Sequence, residues 1–411
     1  MTAHSATTAK PTAANTRDDA AASPADAVAA KIARARAAMD AFDNHDQARV
    51  DEAVTALAWS IYKPEHARAL AEMAVEDTGL GNVASKITKN TRKTFGTLRD
   101  LMRARTVGEI DRQPERGLVL YGKPVGVVGA VCPSTNPAAT PVNKAMMALK
   151  GGNAVIIAPS PAGAMTTGRT VDLMRAELEK CGHPPDLVQL LPLPVSKEMT
   201  QQLVAQADLA VVTGSQDNVR RAMQSGTVTI GVGAGNVPVI IDTTADLDDA
   251  AEKITASKIF DNATSCSSEN AVIILDEVYE DAMAALQRAG GYRCDDAQTQ
   301  TIANTLWIDG KLNRHVIAKD AAVTADIFTL PPAARDASFF MVEQGADVGG
   351  KHSFADEKLS LVLTIYRARD FGHAQALASA ILDVTGRGHS VGIHTKDMAH
   401  AEALAAGTDV V

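Results

Sequence analysis

Short apolar runs alternate with helical segments along most of the 411-residue chain. After Arg116 these runs are rich in β-branched residues and have the length of buried strands. Strands that are apolar on both faces and separated by helices are typical of a parallel sheet covered on both sides. The pattern predicts a doubly wound α/β domain over about 116–235. Its strands are expected at 125–131, 154–157, 187–191, 209–212 and 228–230, and its helices include 142–149 and 166–180.

A second α/β series begins with the apolar run at 237–241. It contains no internal repeat and is joined to the first without a long linker, so we expect the two units to pack with a ligand cleft between them. An amphipathic helical lead-in, 46–80, precedes both. The remaining expected elements are the helices 247–260 and 278–288 and the strands 271–275 and 361–366.

Composition excludes several classes of function. Lys and Arg number 40 against 49 Asp and Glu, a net charge of -9, which argues against nucleic acid as a partner. No apolar run approaches the ~20 residues that span a bilayer, so no membrane association is expected. The first 27 residues lack the apolar stretch of a secretory signal and are predicted to be a disordered tail. The four widely spaced cysteines indicate neither a metal site nor a disulfide framework, which favours the cytoplasm.

Two turns that contain glycine follow predicted strands. The turn 213–215 leads into a helix, where Ser215 either caps the helix only or also helps to hold a phosphate. The run 231–236 contains three glycines but precedes Pro238 and another β-branched run, so the helix that a dinucleotide fingerprint needs is missing. Its glycines indicate that the backbone approaches either a ligand or a neighbouring strand.

Two loops could carry catalysis. The loop 262–268 consists of small polar residues around Cys266, which is either a nucleophile or an inert small side chain. The loop 132–137 follows the carboxyl end of a strand, the edge where ligands gather in open α/β sheets. Its Asn136 is either a turn residue or a hydrogen-bond donor to an oxyanion.

Taken together, six segments resemble the aldehyde dehydrogenase superfamily, and particularly its CoA-acylating branch. The resemblance covers about 28–411. It implies two doubly wound parallel-sheet domains: a cofactor-binding domain at 28–235, with 113–123 as an oligomerisation arm, and a catalytic domain at 236–411. The segments are GKPVGVVGAVCPSTNPAATPVNKAMMALKGGNAVIIAPSP, VVTGS, GVGAGNVPVIID, SKIFDNATSCSSEN, EKLSLVLTIYRARDF and GRGHSVGIHTKD.

The resemblance also implies roles for single residues. Cys266 takes the place of the nucleophile, and Asn136 the place of the amide that stabilises the oxyanion together with the Cys266 N–H. Glu357 is expected to hold the nicotinamide ribose. The whole set implied to bind the cofactor is Ser134, Thr135, Ala158, Pro159, Ser160, Thr213, Gly214, Ser215, Gly233 and Glu357.

One departure from the hydrolytic branch of the superfamily bears on the reaction. Hydrolytic members carry a glutamate, as in ELGGK, where this chain has Val232. Water then lacks a local general base, whereas a thiol is already partly ionised and strongly nucleophilic. The resemblance therefore implies oxidation of an aldehyde with NAD or NADP through a Cys266 thioester, and transfer of the acyl group to coenzyme A. The alternatives are a hydrolytic enzyme that gives the free acid, or a protein without catalysis.

The resemblance further implies a short anionic aldehyde as substrate, sulfoacetaldehyde first and succinate semialdehyde second. Candidates to bind its anionic group are Asn262, Thr264, Arg387 and His389. The alternative is that these are ordinary solvated surface residues. Members of the superfamily continue beyond the position of Val411. We therefore expect either a fragment whose catalytic domain is truncated or an altered assembly, and a homo-oligomer where the arm is complete.

Overall fold

The computed structural model describes residues 23–42 and 46–410. Five helices precede the first sheet. Pro64 begins the third and divides the expected lead-in into two helices, because proline suits a first helical turn but not a helix interior. The first helix begins at Pro24, so 24–27 are helical and the predicted tail extends too far, while 1–22 lie outside the described residues. The helices are α1 Pro24–Ala41, α2 Gln47–Tyr62, α3 Pro64–Thr78, α4 Val83–Thr88 and α5 Thr94–Met102, with a π-helical turn at Lys89–Lys93.

An antiparallel hairpin follows, formed by strands β1 Gly108–Gln113 and β2 Leu118–Gly122. Its second strand lies within 113–123, the region predicted as an oligomerisation arm, whereas its first strand precedes that region except for Gln113. Leu118, Leu120 and Tyr121 are all more than two-fifths exposed, so the hairpin presents an apolar surface.

The first sheet has five parallel strands in the order β5-β4-β3-β6-β7. Its register places Val131 beside both Ala158 and Val212, so the loops that follow these three strands leave the sheet at one edge. The elements are β3 Val127–Val131, α6 Ala139–Lys150, β4 Ala154–Ala158, α7 Ala164–Lys180, β5 Val188–Leu190, α8 Lys197–Gln206, β6 Leu209–Thr213, α9 Gln216–Met223 and β7 Thr229–Val232.

The second sheet has six parallel strands in the order β10-β13-β14-β9-β8-β15. The strands β11 and β12 form a separate small hairpin. The elements are β8 Val237–Ile241, α10 Leu247–Ile259, β9 Glu269–Leu275, α11 Tyr279–Arg288, β10 Gly291–Arg293, α12 Asp296–Leu306, β11 Trp307–Ile308, β12 Lys311–Leu312, α13 Ala321–Ile327, β13 Phe339–Gln344, β14 Val362–Ala368, α14 Phe371–Val384, β15 Gly392–His394 and α15 Met398–Gly407.

Both sheets are covered by helices, which explains why their strands are apolar throughout. Every residue of β3, β4 and β8 is buried, and α2 packs on α6 and α7. The predicted fold class, α/β with two parallel sheets, is confirmed. The chain passes from one sheet to the other between Val232 and Val237, through the glycine run. Within 23–42 and 46–410, no helix combines the length and the apolar character needed to cross a membrane.

Candidate active site

A cavity of about 690 Å³ is lined by loops from both sheets. Asn136 and Ala158 do not line it, although each is the immediate neighbour of a residue that does. The cavity brings together the other ten of the twelve predicted site residues: Ser134, Thr135, Pro159, Ser160, Thr213, Gly214, Ser215, Gly233, Cys266 and Glu357.

One side of the cavity, which we call the strand-end wall, consists of 134–135, 159–160 and 213–215, the loops that follow β3, β4 and β6. The buried Lys144 ammonium donates to the carbonyls of Val131 (2.6 Å) and Val211 (2.9 Å), which ties the ends of two strands together. The wall itself is neutral and built from small residues. It therefore offers hydroxyl and backbone groups to a ligand rather than charge.

Two serines of the strand-end wall begin helices. The Ser215 hydroxyl accepts from the backbone N–H of Asn218 (3.4 Å), and the Ser160 hydroxyl accepts from Gly163 N–H (3.3 Å). The predicted capping role of Ser215 is thus observed. The first N–H groups of a helix have no partner within the helix, so the start of α9 at this wall suits a phosphate.

The opposite side, which we call the cysteine wall, consists of 261–266 and the lysines packed behind it. Asp261, Asn262 and Ala263 all have left-handed backbone conformations, with φ of 51°, 54° and 61°. Asp and Asn tolerate this region better than most residues, whereas Ala does so at a cost. The unusual turn immediately precedes Thr264 and Cys266, so whatever holds it also positions the thiol.

The turn is held by the carboxylate of Asp261, which is fully buried. It accepts from the ammonium groups of Lys86 (3.1 Å) and Lys89 (2.6 Å) and from the Thr264 hydroxyl (2.7 Å). The backbone N–H of Asn82 donates to its other oxygen (2.9 Å). A buried carboxylate with this many donors is strongly stabilised in its charged form.

Cys266 is half-buried in the cavity. Burial raises the pKa of its thiol, and the negative charge of Glu357 raises it further, while Lys93 and Lys89 lower it. Burial also raises the pKa of Glu357 to about 7, against a hydrogen bond from the Gly235 N–H (2.9 Å). Without a bound cation the thiol form of Cys266 therefore dominates at neutral pH.

Gly235 explains part of the glycine run. A Cβ atom at this position would lie 2.2 Å from the carbonyl oxygen of Cys266 and 2.8 Å from His389 Nε2. The close approach is thus to the backbone of the loop that contains Cys266, which neither of the two predicted alternatives named. Gly233 lines the cavity, as predicted.

A profile of the aldehyde dehydrogenase family matches residues 2–306. The chain belongs to this family. It is similar to acylating sulfoacetaldehyde dehydrogenases from Cupriavidus necator, 49% identical over 92% of this chain and 77% of that protein, and from Bilophila wadsworthia, 43% identical over 92% and 82%. An acetylating aldehyde dehydrogenase from Geobacillus thermoglucosidasius has a similar structure, with a TM-score of 0.89 and 32% identity over 94% of this chain and 85% of that one.

These similarities confirm that this aldehyde dehydrogenase is of the CoA-acylating type and that it is an enzyme. Its other thiols differ from Cys266 in their exposure: Cys132 and Cys294 are buried, and Cys181 is exposed and does not line the cavity. Cys132 also lines the cavity, but full burial raises its pKa, and burial raises the pKa of Cys294 to about 12. Among the described residues, no three His, Cys, Asp or Glu side chains are grouped to hold a metal ion.

In this aldehyde dehydrogenase, the four candidates for binding an anionic substrate lie in different surroundings. Thr264 lines the cavity, and His389 lies beside Gly235. The Asn262 amide donates instead to Asp320 (2.7 Å), and the exposed Arg387 is paired with Asp383 and Asp409. The structure therefore does not bring Asn262 or Arg387 to the cavity.

Two sets of basic residues near the cavity were not predicted from the sequence. Lys197 on α8 and Arg221 on α9 line the cavity, and neither has a carboxylate partner within the part of the chain that the structure describes. Lys86, Lys89 and Lys93 surround the cysteine wall. Their spacing of three and four residues on a helical segment was the available signal, because it places them on one face.

Proposed function

We propose that this chain oxidises a short anionic aldehyde, sulfoacetaldehyde, with NAD+ or NADP+ and transfers the acyl group from Cys266 to coenzyme A. The observation that carries the reaction type is the composition of the cavity. Of the described residues that line it, Cys266 is the accessible nucleophile and Glu357 is the one carboxylate. The 49% and 43% identity to acylating sulfoacetaldehyde dehydrogenases supports the substrate.

The residues of the strand-end wall fit a nicotinamide dinucleotide. The start of α9 at Ser215 suits the diphosphate, the neutral loop 159–160 suits the adenosine ribose, and Glu357 suits the nicotinamide ribose. Arg221 and Lys197 can contact a ribose phosphate, which both NADP and coenzyme A carry. The bound dinucleotide would supply the hydride acceptor and a positive charge near Cys266.

In the proposed reaction, the Cys266 thiolate adds to the aldehyde carbon and forms a thiohemiacetal. The amide of Asn136 and the backbone N–H of Cys266 stabilise the oxyanion. Transfer of a hydride from the thiohemiacetal carbon to the oxidised nicotinamide would leave a thioester on Cys266. Attack by the thiol of coenzyme A would then form the acyl-CoA and release the Cys266 thiolate. His389 can accept the thiol proton, because burial lowers its pKa and keeps the imidazole neutral beside the Cys266 backbone.

The first experiment measures formation of the reduced cofactor by the purified protein. Sulfoacetaldehyde and succinate semialdehyde are each tested with NAD+ or NADP+, with and without coenzyme A. We expect turnover that requires coenzyme A and a higher kcat/KM for sulfoacetaldehyde. Steady turnover without coenzyme A would assign the hydrolytic reaction instead, and no turnover in any combination would contradict a catalytic role.

We also propose that the chain forms a homo-oligomer in the cytoplasm. The exposed apolar hairpin of β1 and β2 supports the first proposal, because its edges can pair with another chain. The four free cysteines support the second. Light scattering tests the assembly: Leu120→Lys should lower the molecular mass, whereas Lys123→Glu, outside the two strands, should not.

A further inference from the structure

We propose that Lys86 is a positioning residue. Its ammonium joins the loop that carries Asn136 to the turn that precedes Cys266, and so sets the place of the oxyanion donor relative to the nucleophile. This inference rests on the proposed function, which gives Asn136 and Cys266 their roles but does not say what holds the two segments together.

The Lys86 ammonium contacts both segments at once. It donates to the backbone carbonyl of Thr135 (3.2 Å) and to the carboxylate of Asp261 (3.1 Å). Thr135 immediately precedes Asn136, and Asp261 begins the left-handed turn that leads to Cys266. Lys86 is 2% exposed, so both contacts are shielded from water, where a charge-assisted hydrogen bond is stronger than at a surface.

The two segments that Lys86 joins belong to different sheets. The loop 132–137 follows β3 of the first sheet, whereas 261–266 precedes β9 of the second. Within 23–42 and 46–410, no hydrogen bond connects these two segments directly, and the Lys86 ammonium supplies the polar link between them. Thr135 and Thr264 both line the cavity. A shift of one segment relative to the other would therefore change the geometry of the cavity itself.

The helix that carries Lys86 is itself fixed on the turn. The Asn82 N–H, at the start of α4, donates to the Asp261 carboxylate (2.9 Å), and the Asp261 N–H donates to the Ser85 hydroxyl (3.1 Å). The ammonium thus reaches Thr135 from a fixed base. This matters because a donor stabilises an oxyanion only at hydrogen-bond distance, and a misplacement of about 1 Å can cost about 10²-fold in rate.

Lys89 has the same setting but lacks the second contact. It is also 2% exposed and donates to the same Asp261 oxygen (2.6 Å), but its other acceptor is the Thr264 hydroxyl (2.8 Å), in the same turn. Lys89 therefore braces the turn alone, whereas Lys86 extends the brace to the loop of Asn136. Loss of either lysine leaves the other paired with Asp261, so the two substitutions disturb the buried charges in the same way.

The test is a double-mutant cycle between Lys86 and Asn136, with sulfoacetaldehyde, coenzyme A and NAD+ or NADP+. Lys86→Met should lower kcat about 10- to 100-fold when Asn136 is present. In Asn136→Ala it should lower kcat less than about twofold, because the donor that it positions is already gone. The matched control is Lys89→Met, whose effect on kcat should be the same with and without Asn136. Unfolding in urea should show similar losses of stability for the two lysine variants.

A second measurement needs neither the aldehyde nor coenzyme A nor the dinucleotide. The Cys266 thiolate adds to the carbonyl of p-nitrophenyl acetate and expels p-nitrophenolate, which leaves an acetyl thioester and passes through an oxyanion of the same kind. The rate of acetylation should fall at least about fivefold in Lys86→Met, and less than about twofold when the same change is made in Asn136→Ala.

Three outcomes would overturn the proposal: independent effects of Lys86→Met and Asn136→Ala, the same coupling to Asn136 in Lys89→Met, or acetylation of Lys86→Met at the wild-type rate. If Lys86→Met does not fold, Lys86→Gln, which keeps a neutral donor, should show the coupling instead, and independence there counts equally against the proposal. Failure of the proposed function looks different: wild type would show no CoA-dependent turnover, while the acetylation rates would still decide the role of Lys86. Absence of acetylation in wild type would contradict both.

Discussion

The two walls of the cavity are built in opposite ways. The strand-end wall is neutral and follows from local rules, because small residues and helix caps follow consecutive strands of one parallel sheet. The cysteine wall is charged and depends on distant contacts: Lys89 and Asp261 are 172 residues apart in sequence. The wall suited to a cofactor is therefore a product of the fold, whereas the wall that carries Cys266, the proposed nucleophile, is assembled from segments far apart in the chain.

The largest effect is expected from removing the Cys266 thiol, a change in the cysteine wall that leaves the strand-end wall intact. Cys266→Ala should lower CoA-dependent turnover about 10⁴-fold or more, since the covalent route is lost. Binding of the reduced cofactor, followed by its fluorescence, should change little. The control is Cys181→Ala, a substitution of an exposed thiol outside the cavity, with wild-type turnover. Appreciable turnover by Cys266→Ala would rule out the thioester.

The next test breaks the ionic support of the cysteine wall. Asp261→Asn leaves two buried ammonium groups without their carboxylate and should lower the free energy of unfolding by about 3–5 kcal/mol, as measured in urea. Lys89→Met is the matched control, because it leaves Lys86 and Asp261 as a balanced pair and should cost less. If Asp261→Asn is no less stable than Lys89→Met, the left-handed turn does not depend on this carboxylate.

A third test concerns Asn136, which immediately follows residues 134–135 of the strand-end wall and does not itself line the cavity. Asn136→Ala should lower kcat about 10²–10³-fold, because one donor to the oxyanion is lost. Stability and KM for NAD+ or NADP+ should stay near wild type. Ser134→Ala, in the same loop, provides the comparison and should affect KM for the cofactor more than kcat. The reverse pattern would exchange the roles assigned to these two residues.

The smallest effect is expected from removing the charge of Glu357, which lines the cavity together with Cys266. Glu357→Gln removes a negative charge that raises the Cys266 pKa, so iodoacetamide should react with the free enzyme roughly two- to fivefold faster. Glu357 is charged only above its own pKa of about 7. The difference between variant and wild type should therefore be present a pH unit above that value and disappear a pH unit below it. A difference that does not depend on pH would show a steric cause.

The sequence predicted those features that depend on residues close together along the chain. The strand β8 occupies 237–241 as predicted, and the other predicted strands and helices of both sheets differ by one to three residues at their ends, because hydrophobic periodicity locates a strand better than its boundaries. The strands β10, β13 and β15 of the second sheet were not predicted. Cys266 was found through its loop and its motif. The charges behind it were not, since no local pattern pairs Lys86 or Lys89 with Asp261. The backbone contact of Gly235 was equally inaccessible, because it joins two segments that meet only in the folded chain.

The described lining of the cavity contains a single carboxylate, which bears on the lifetime of an acyl group on Cys266. That carboxylate, Glu357, is engaged as the acceptor of a hydrogen bond from the Gly235 N–H. Under the proposed function, we expect an acyl group on Cys266 to outlast the departure of the reduced cofactor. Such an enzyme would hold one acyl group per active site. Cys266 would be acylated when oxidised cofactor is plentiful and would stay acylated until a thiol accepts the acyl group.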